Sequence, residues 1–335
     1  MSENKRKSRA TLQDIADRVG VTKMTVSRFM RNEESVSVKT RASIKAVAEE
    51  LGYIHNRAPA LLSKSSSRSI GVLLPSLSNQ VFAKLAQGIE SVTNRRGYEV
   101  LLGHYSYESE IEERKIATLL SYQVDGLILT GTSHSKKTLK MLETAGVPVV
   151  EAMELPESPI NMAVGLDHKM AAYDAVNLMI NKGKKNIAYF GARLDSRTKL
   201  RMEGYDEAMV EAGLEKNHFL TSSRSSFTIA RDLLNRALDD CQYLDGIFCT
   251  NDDIAIGAIL ACNEMGINVP EQISVVGYNA LDIGQAITPK LTSVYTPRYE
   301  IGELSAELLL NAIEGKEPEK RINDLGYTIT NGKSS

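Results

Sequence analysis

The sequence is poor in the features that mark secreted scaffolds, membrane spans and common catalysis. Its three cysteines, Cys241, Cys249 and Cys262, form no C-x-x-C pair and share no metal-ligand spacing. A disulfide framework and a zinc site are therefore excluded as organising devices, and free thiols in a reducing compartment are expected. No apolar run approaches the ~20 residues that cross a bilayer. The polar, basic start, with Lys5, Arg6, Lys7 and Arg9, has no apolar stretch of the signal-peptide kind, so a cytoplasmic protein is expected. The chain has no G-x-x-x-x-G-K-[ST], no H-E-x-x-H and no G-x-S-x-G, and "GARLDSR" is not a dinucleotide fingerprint. Asp252 and Asp253 of "TNDD" are thus carboxylates without a phosphate cradle or a nucleophile beside them. His104, His134, His168 and His218 share no metal-ligand spacing and read as surface or internally satisfied side chains. No catalytic residue, metal or cofactor is expected.

What is present is an ordinary globular composition over 335 residues, 42% apolar and 24% charged, enough for two or three domains. The formal net charge of -2 hides an asymmetry. The first sixty residues hold 12 Lys and Arg against 7 Asp and Glu, whereas the remainder holds 28 against 35. A basic head on an acidic body points to a polyanion as partner of the head alone.

That head reads as three short helices. Thr11 caps the first, with Asp14 as reciprocal partner and Leu12, Ile15, Ala16 and Val19 on one face, and Gly20 stops it. Thr22 caps a second running to about Met30. A third begins near Ser37, carries Ile44, Val47, Ala48 and Leu51, and ends at Gly52. Ala16 permits close approach, Gly20 supplies the turn and Val26 packs back inside, the spacing of a helix-turn-helix. The second helix spends Val26 and part of Phe29 on the core. Its first turn is left free for a major groove: Met24 against thymine methyls, Lys23 and Arg28 toward guanine or phosphate, Thr22 and Ser27 toward phosphate oxygens. A small helical bundle with an incidental basic face is the competing reading.

The stretch from "TLQDIADRVGVTKMTVSRFMRN" through "ELGYIHNRAPALLS" resembles the headpiece of the LacI family of bacterial repressors. The resemblance implies that Lys23, Met24 and Arg28 read operator bases and that Asn56 to Leu62 form a hinge helix on DNA. Asn56 suits its cap, Arg57 and Ala58 open it, and Pro59 falls in the first turn, where a missing N–H costs nothing. Leu62, by the same resemblance, wedges into a minor-groove step at a dimer axis beside Ala58 and Pro59. His55 stands where the family usually has proline; it reads as a surface residue or as a phosphate contact.

From Ile70 onward the pattern alternates short apolar runs with helical stretches: "SIGVLLP", "YEVLLGH", "VDGLILT", "VPVVEAM", "NIAYFGA", "DGIFCT" and "ISVVGYN". Such alternation predicts parallel sheets covered on both faces, with a break near "INMAVGLDHKMAAYDAV". The expected organisation is α/β, with a helix-turn-helix headpiece at 1–55 and a hinge helix and linker at 56–68. Two doubly wound parallel-sheet subdomains follow at 69–166 and 167–296. The segment 297–335 crosses back through the first subdomain and ends in a strand of the second. Two such units face each other across a ligand cleft beyond the strand C-termini. This is the periplasmic-binding-protein-like architecture that LacI-family cores have.

Position by position, the resemblance carries over Phe82 and Thr130 as pocket wall and hydroxyl donor, Arg201 as main anchor, Asn251 as a bidentate amide, and Asn279. Family members that bind neutral sugars usually place aspartates where Asn279 and Met153 stand. Their loss beside Arg201 and Arg197 favours an anionic effector. The whole sequence is most similar to the gluconate- and idonate-responsive repressors of the family, which implies a sugar acid such as gluconate. Glu151 is expected in the pocket, either repelling an acid or orienting Arg201. The expected partners are pseudo-palindromic operator DNA, a sugar-acid effector and a second copy of the chain, since "NGKSS" lacks the apolar heptads of a tetramerising tail. A sugar receptor without a DNA role and a sugar-acid enzyme are the alternatives.

Overall fold

The computed structural model describes residues 9–54 and 66–335. The chain separates after Ser65 into two compact units.

In the first unit, α1 (Leu12–Val19), α2 (Lys23–Arg31) and α3 (Val38–Glu50) enclose Ile15, Ala16, Val26, Phe29 and Ile44. Local chemistry fixes each boundary. Thr11 and Asp14 form a reciprocal capping box, and Gly20, at φ 76, closes α1 by donating its amide to the Ala16 carbonyl. The hydroxyls of Thr22 and Ser37 accept from the amides of Thr25 and Thr40 to open the next two helices. Arg18 pairs with Glu50 at 2.5 Å, tying α1 to α3 on the surface.

The second unit holds two six-stranded sheets of like construction. The first contains β1 (Ser69–Leu74), β2 (Glu99–His104), β3 (Gly126–Leu129), β4 (Val149–Ala152), β5 (Met162–Gly165) and β11 (Ile322–Asp324), in the order β11-β5-β4-β3-β1-β2, all parallel. Alternation along the strands sends Ile70, Val72, Ile128 and Val150 against α4 (Val81–Arg96) and α12 (Arg298–Ile313). It sends Leu73, Leu127, Leu129 and Val149 the other way, toward α5 (Ser109–Ser121) and α6 (Lys136–Ala145). The second sheet runs β12-β10-β9-β8-β6-β7: β6 is Ile187–Ala192, β7 Asn217–Thr221, β8 Gly246–Cys249, β9 Ser274–Asn279, β10 Thr292–Tyr295 and β12 Thr328–Ile329. Only β12 is antiparallel to its neighbour. One face is covered by α7 (His168–Asn181) and α8 (Ser196–Glu211), the other by α9 (Ile229–Asp240) and α10 (Asp252–Glu264), and a short α11 (Asp282–Ala286) follows β9.

Strand β5 lies inside the "INMAVGLDHKMAAYDAV" stretch that sequence reading takes as a break. Its four residues run almost directly into α7, so no turn signal separates strand from helix. Strands β7, β10 and β11 are likewise additions to the runs read from sequence. No helix among the described residues is long and apolar enough to cross a membrane. Cys249 and Cys262 are buried, Cys241 is half-buried, and all three are free.

α4 and α12 approach so closely that a methyl group on Gly88 would drive into the Tyr299 carbonyl, and one on Gly302 into that of Leu85. Neither obstacle is a flexible side chain. Gly302→Ala is therefore expected to destabilise the core unit by about 1–3 kcal/mol, the usual cost of overpacking, measured as a lower urea midpoint.

Candidate functional site

Two surfaces carry the chemistry, one on each unit. On the headpiece, burial of Val26 and Phe29 turns the opposite side of α2 outward. Thr22, Lys23, Met24 and Arg28 are exposed there and Ser27 is half-buried. Met24 keeps 62% of its surface in contact with solvent. An apolar tip flanked by two cations, on a helix whose far side is anchored, is a surface shaped for a groove lined with phosphate and thymine methyls. The Thr22 hydroxyl is also the helix cap, accepting from the Thr25 amide at 3.1 Å. Asn56, Arg57, Ala58, Pro59 and Leu62, the expected minor-groove residues, lie outside the described residues.

The second surface is a cleft between the C-terminal ends of the two sheets. Arg197 and Arg201 project into it from the first two turns of α8, a helix capped by the Asp195 carboxylate on the Thr198 amide at 2.9 Å. Arg197 is 6% exposed; its Nη1 donates to the Thr130 carbonyl at 3.1 Å, and its guanidinium lies 5.5 Å from the centroid of Phe82. Its Nε is 3.6 Å from Glu154 Oε1. Burial works against the charge on Arg197, but Glu154 and Asp195 outweigh it and raise its pKa further. Glu154 also accepts from the hydroxyls of Thr132 at 2.9 Å and Ser196 at 2.8 Å, so it joins the first subdomain to α8.

Arg201 is placed differently. It is 7% exposed, donates from Nη1 to the Thr250 carbonyl at 2.6 Å, and stacks 3.8 Å from the Tyr278 ring centroid. Its Nε is buried without a hydrogen-bond partner. Among the described residues no carboxylate lies within 4.0 Å of it. His168 does not supply the missing negative partner. Its Nε2 faces the Met153 carbonyl at 2.8 Å and so must carry the proton, while Nδ1 accepts from the Tyr278 hydroxyl at 2.8 Å and faces Arg201 Nη2 at 3.4 Å. Burial, then Arg201 and Arg197, hold His168 well below its ordinary pKa, which fixes it as a neutral ring.

Asn251 caps α10. Its Oδ1 accepts from the Ile254 amide at 3.3 Å and from the Ser225 hydroxyl at 2.8 Å, leaving the amide nitrogen as the group it has to offer. Asn279 ends β9 at φ 102 and is buried. The turn after it is held by Asp252, which accepts from the Ser293 hydroxyl at 2.6 Å and the Leu281 amide at 2.5 Å. Burial pushes the Asp252 carboxyl up to about 7. Asp252 thus supports the turn, and Asp253 takes a hydrogen bond from Ser225.

Two sequence expectations change. The Thr130 hydroxyl donates to the Leu73 carbonyl at 2.9 Å, so it is spent on the sheet, and what Thr130 shows the cleft is its carbonyl. Glu151 does not meet Arg201: it sits inside β4 on the face of Val149, pointing into the α5–α6 layer. There it accepts from the Ile160 amide at 2.7 Å and faces His134. The carboxylate that reaches an arginine is Glu154, beyond the strand end, where an open α/β sheet places its ligand groups. Sequence reading missed Glu154, His168 and Tyr278. Their one available signal is position immediately after β4, after β5 and at the end of β9.

Residues 11–56 match the family of bacterial regulatory proteins, lacI family, and residues 67–331 match periplasmic binding proteins and sugar binding domain of LacI family. The chain is 48% identical over 329 residues to the HTH-type transcriptional regulator GntR of Escherichia coli (strain K12), covering 98% of this chain and 99% of that one. It is 42% identical over 330 residues to IdnR, an HTH-type transcriptional regulator of the same strain, with the same coverage of 98% and 99%. Among solved structures, the lac repressor dimer bound to operator and the anti-inducer ONPF gives a TM-score of 0.82 at 25% identity, covering 98% of this chain and 99% of that one. A headpiece that reads DNA and a two-sheet core that holds a small molecule define an effector-controlled transcriptional regulator. The chain belongs to the LacI family.

Behind the cleft wall, His134 lies between two buried carboxylates, with Nδ1 3.1 Å from Glu112 and Nε2 3.7 Å from Glu151. Burial opposes its charge, but the two carboxylates prevail and raise its pKa to about 9. The folded state therefore binds this proton more tightly than the unfolded chain. The stabilisation is complete below the unfolded value near 6.5 and is lost as pH rises to about 9. His134→Gln is expected to flatten the decline in urea-unfolding free energy across that window, read from unfolding curves at stepped pH.

Proposed function

We propose that the effector is a sugar acid, gluconate or a close relative, and that its binding lowers affinity for operator DNA. The observation that carries this reading is Arg201, a buried guanidinium bonded to a carbonyl, a ring face and a neutral imidazole, with no carboxylate against it among the described residues. A cation withdrawn from water in this way is best satisfied by an anionic ligand, and a carboxylate offers the planar, charge-assisted match. Met153 and Asn279, where related binders of neutral sugars carry aspartates, add no negative charge to the cleft. The polyol of the ligand then falls to the Asn251 amide and Asn279.

The regulator acts as a homodimer in the cytoplasm, with two headpieces on the half-sites of a pseudo-palindromic operator. Support comes from the lac repressor dimer on operator, which the chain resembles over nearly its full length. Lys23, Met24 and Arg28 read bases; Thr22 and Ser27 hold phosphates; Asn56, Arg57, Ala58, Pro59 and Leu62 supply minor-groove contacts. Because both ligands bias one equilibrium, operator must weaken effector binding by the factor with which effector weakens operator binding.

Two substitutions separate the surfaces. Arg201→Ala is expected to lose about 1.5–3 kcal/mol of gluconate binding in calorimetry, the worth of charge-assisted hydrogen bonds. It should leave operator affinity without effector unchanged and so give a repressor that does not release. Gluconate binding that survives this substitution at wild-type strength places the anchor elsewhere. Arg28→Ala is expected to cost about 1–3 kcal/mol in specific operator binding with relaxed base preference and to leave the gluconate titration as it was; equal loss on every sequence would make Arg28 a phosphate contact.

A further inference from the structure

All three passages of the chain between the two sheets lie at one edge of the core. β5 leads into α7, which packs on β10 before the chain reaches β6, β10 leads through α12 to β11, and β11 leads to β12. In their sheets β5 with β11 and β10 with β12 occupy the end opposite β2 and β7. Rotation of one subdomain about these passages opens the cleft most at the β2 and β7 side. Two loops meet there. Tyr107 follows β2, and Arg193 is the first residue beyond β6.

The Arg193 guanidinium carbon is 3.5 Å from the centroid of the Tyr107 ring. Both sides are built to make this contact. Ser106, Tyr107 and Arg193 have φ of 54, 63 and 45, a left-handed backbone that non-glycine residues keep only where the surroundings enforce it. The Arg193 amide is fixed on the Thr221 carbonyl at 2.8 Å, and its carbonyl accepts from the Asp195 amide at 2.8 Å. Among the described residues the carboxylate within 4.0 Å of its side chain is Asp195, 3.6 Å from Nε, and that Nε makes no hydrogen bond.

We infer that Tyr107 and Arg193 form a clasp across the mouth of the effector cleft, made when the subdomains are closed and setting how long the effector stays. This rests on the reading of the cleft as an anionic-effector site. Neither residue needs to touch the ligand; the pair holds the two walls together, so it acts on release rather than on recognition. A partly desolvated cation–π contact is worth about three- to thirtyfold in a rate.

The chain contains no tryptophan, so Tyr107→Trp in the full-length protein supplies a single fluorescent reporter that keeps an aromatic face under Arg193. In Y107W the indole is expected to be shielded from acrylamide, and in Y107W/R193A to be more accessible, with red-shifted emission, before any ligand is added. In a radiolabelled-gluconate chase, R193A and Y107A are expected to release ligand about three- to thirtyfold faster than wild type, whereas Y107F, which keeps the ring, releases at the wild-type rate. Indole emission and quenching that are the same with and without Arg193 overturn the clasp, whether or not gluconate binds. An unchanged release rate in R193A overturns its role in retention. If wild type fails to bind gluconate while the emission difference persists, the sugar-acid reading falls and the clasp stands.

Discussion

Burying a guanidinium is costly, and this core does it twice within one short stretch, with a third, half-buried arginine just ahead. Arginines at 193, 197 and 201 follow each other at four-residue intervals, so the last two share a face of α8 and the first stands just ahead of its cap. Each rests on an aromatic ring, Tyr107, Phe82 and Tyr278 in turn. Two of those rings belong to the first subdomain and one to the second. Arg197, carried by the second subdomain, is dehydrated by groups of the first, the Thr130 carbonyl, the Glu154 carboxylate and the Phe82 ring, whereas Arg201 takes the Thr250 carbonyl and the Tyr278 ring from its own side. Around these arginines the two halves meet through polar groups, while one apolar cluster runs on from the first sheet, through Met153, Val164 and Leu166, to Ala171, Val176 and Tyr278 of the second.

The headpiece was legible almost residue by residue because its boundaries rest on local chemistry. Thr11 with Asp14, Gly20, Thr22 and Ser37 each act within four positions of themselves, and those effects survive in the bare sequence. The central strands were legible for a different reason. Strands covered on both faces become unbroken apolar runs, and "SIGVLL" and "SVVGYN" stand out as such. Of the outer strands, β2 and β12 could be read, whereas β7 and β11 did not stand out; β11 has only three residues and takes its identity from β5, far earlier in the chain.

The arginines of the cleft were expected from the family resemblance, Arg201 by its position and Arg197 beside it, but which carboxylate would meet Arg197 depended on one fact of strand geometry. Glu151 and Glu154 are three apart, but one is inside the strand and the other beyond its end, and only the second faces the cleft. His168 shows the same limit from the other side. Nothing in its neighbours foretells that its ring is held neutral between a carbonyl and a tyrosine hydroxyl from β9, because those partners lie at sequence distances of 15 and 110.

The interleaving of the two sheets also orders how the molecule can be made. The strands β1 to β5 emerge early in translation, but the helix that covers one of their faces, α12, and the strand that completes their edge, β11, are near the C-terminus. The early half must wait on the ribosome with an apolar face covered only by α4 and with a free strand edge until the later half has been synthesised between its pieces. Neither half exists as a contiguous stretch of gene, so neither can be lost, duplicated or exchanged in evolution without carrying part of the other with it.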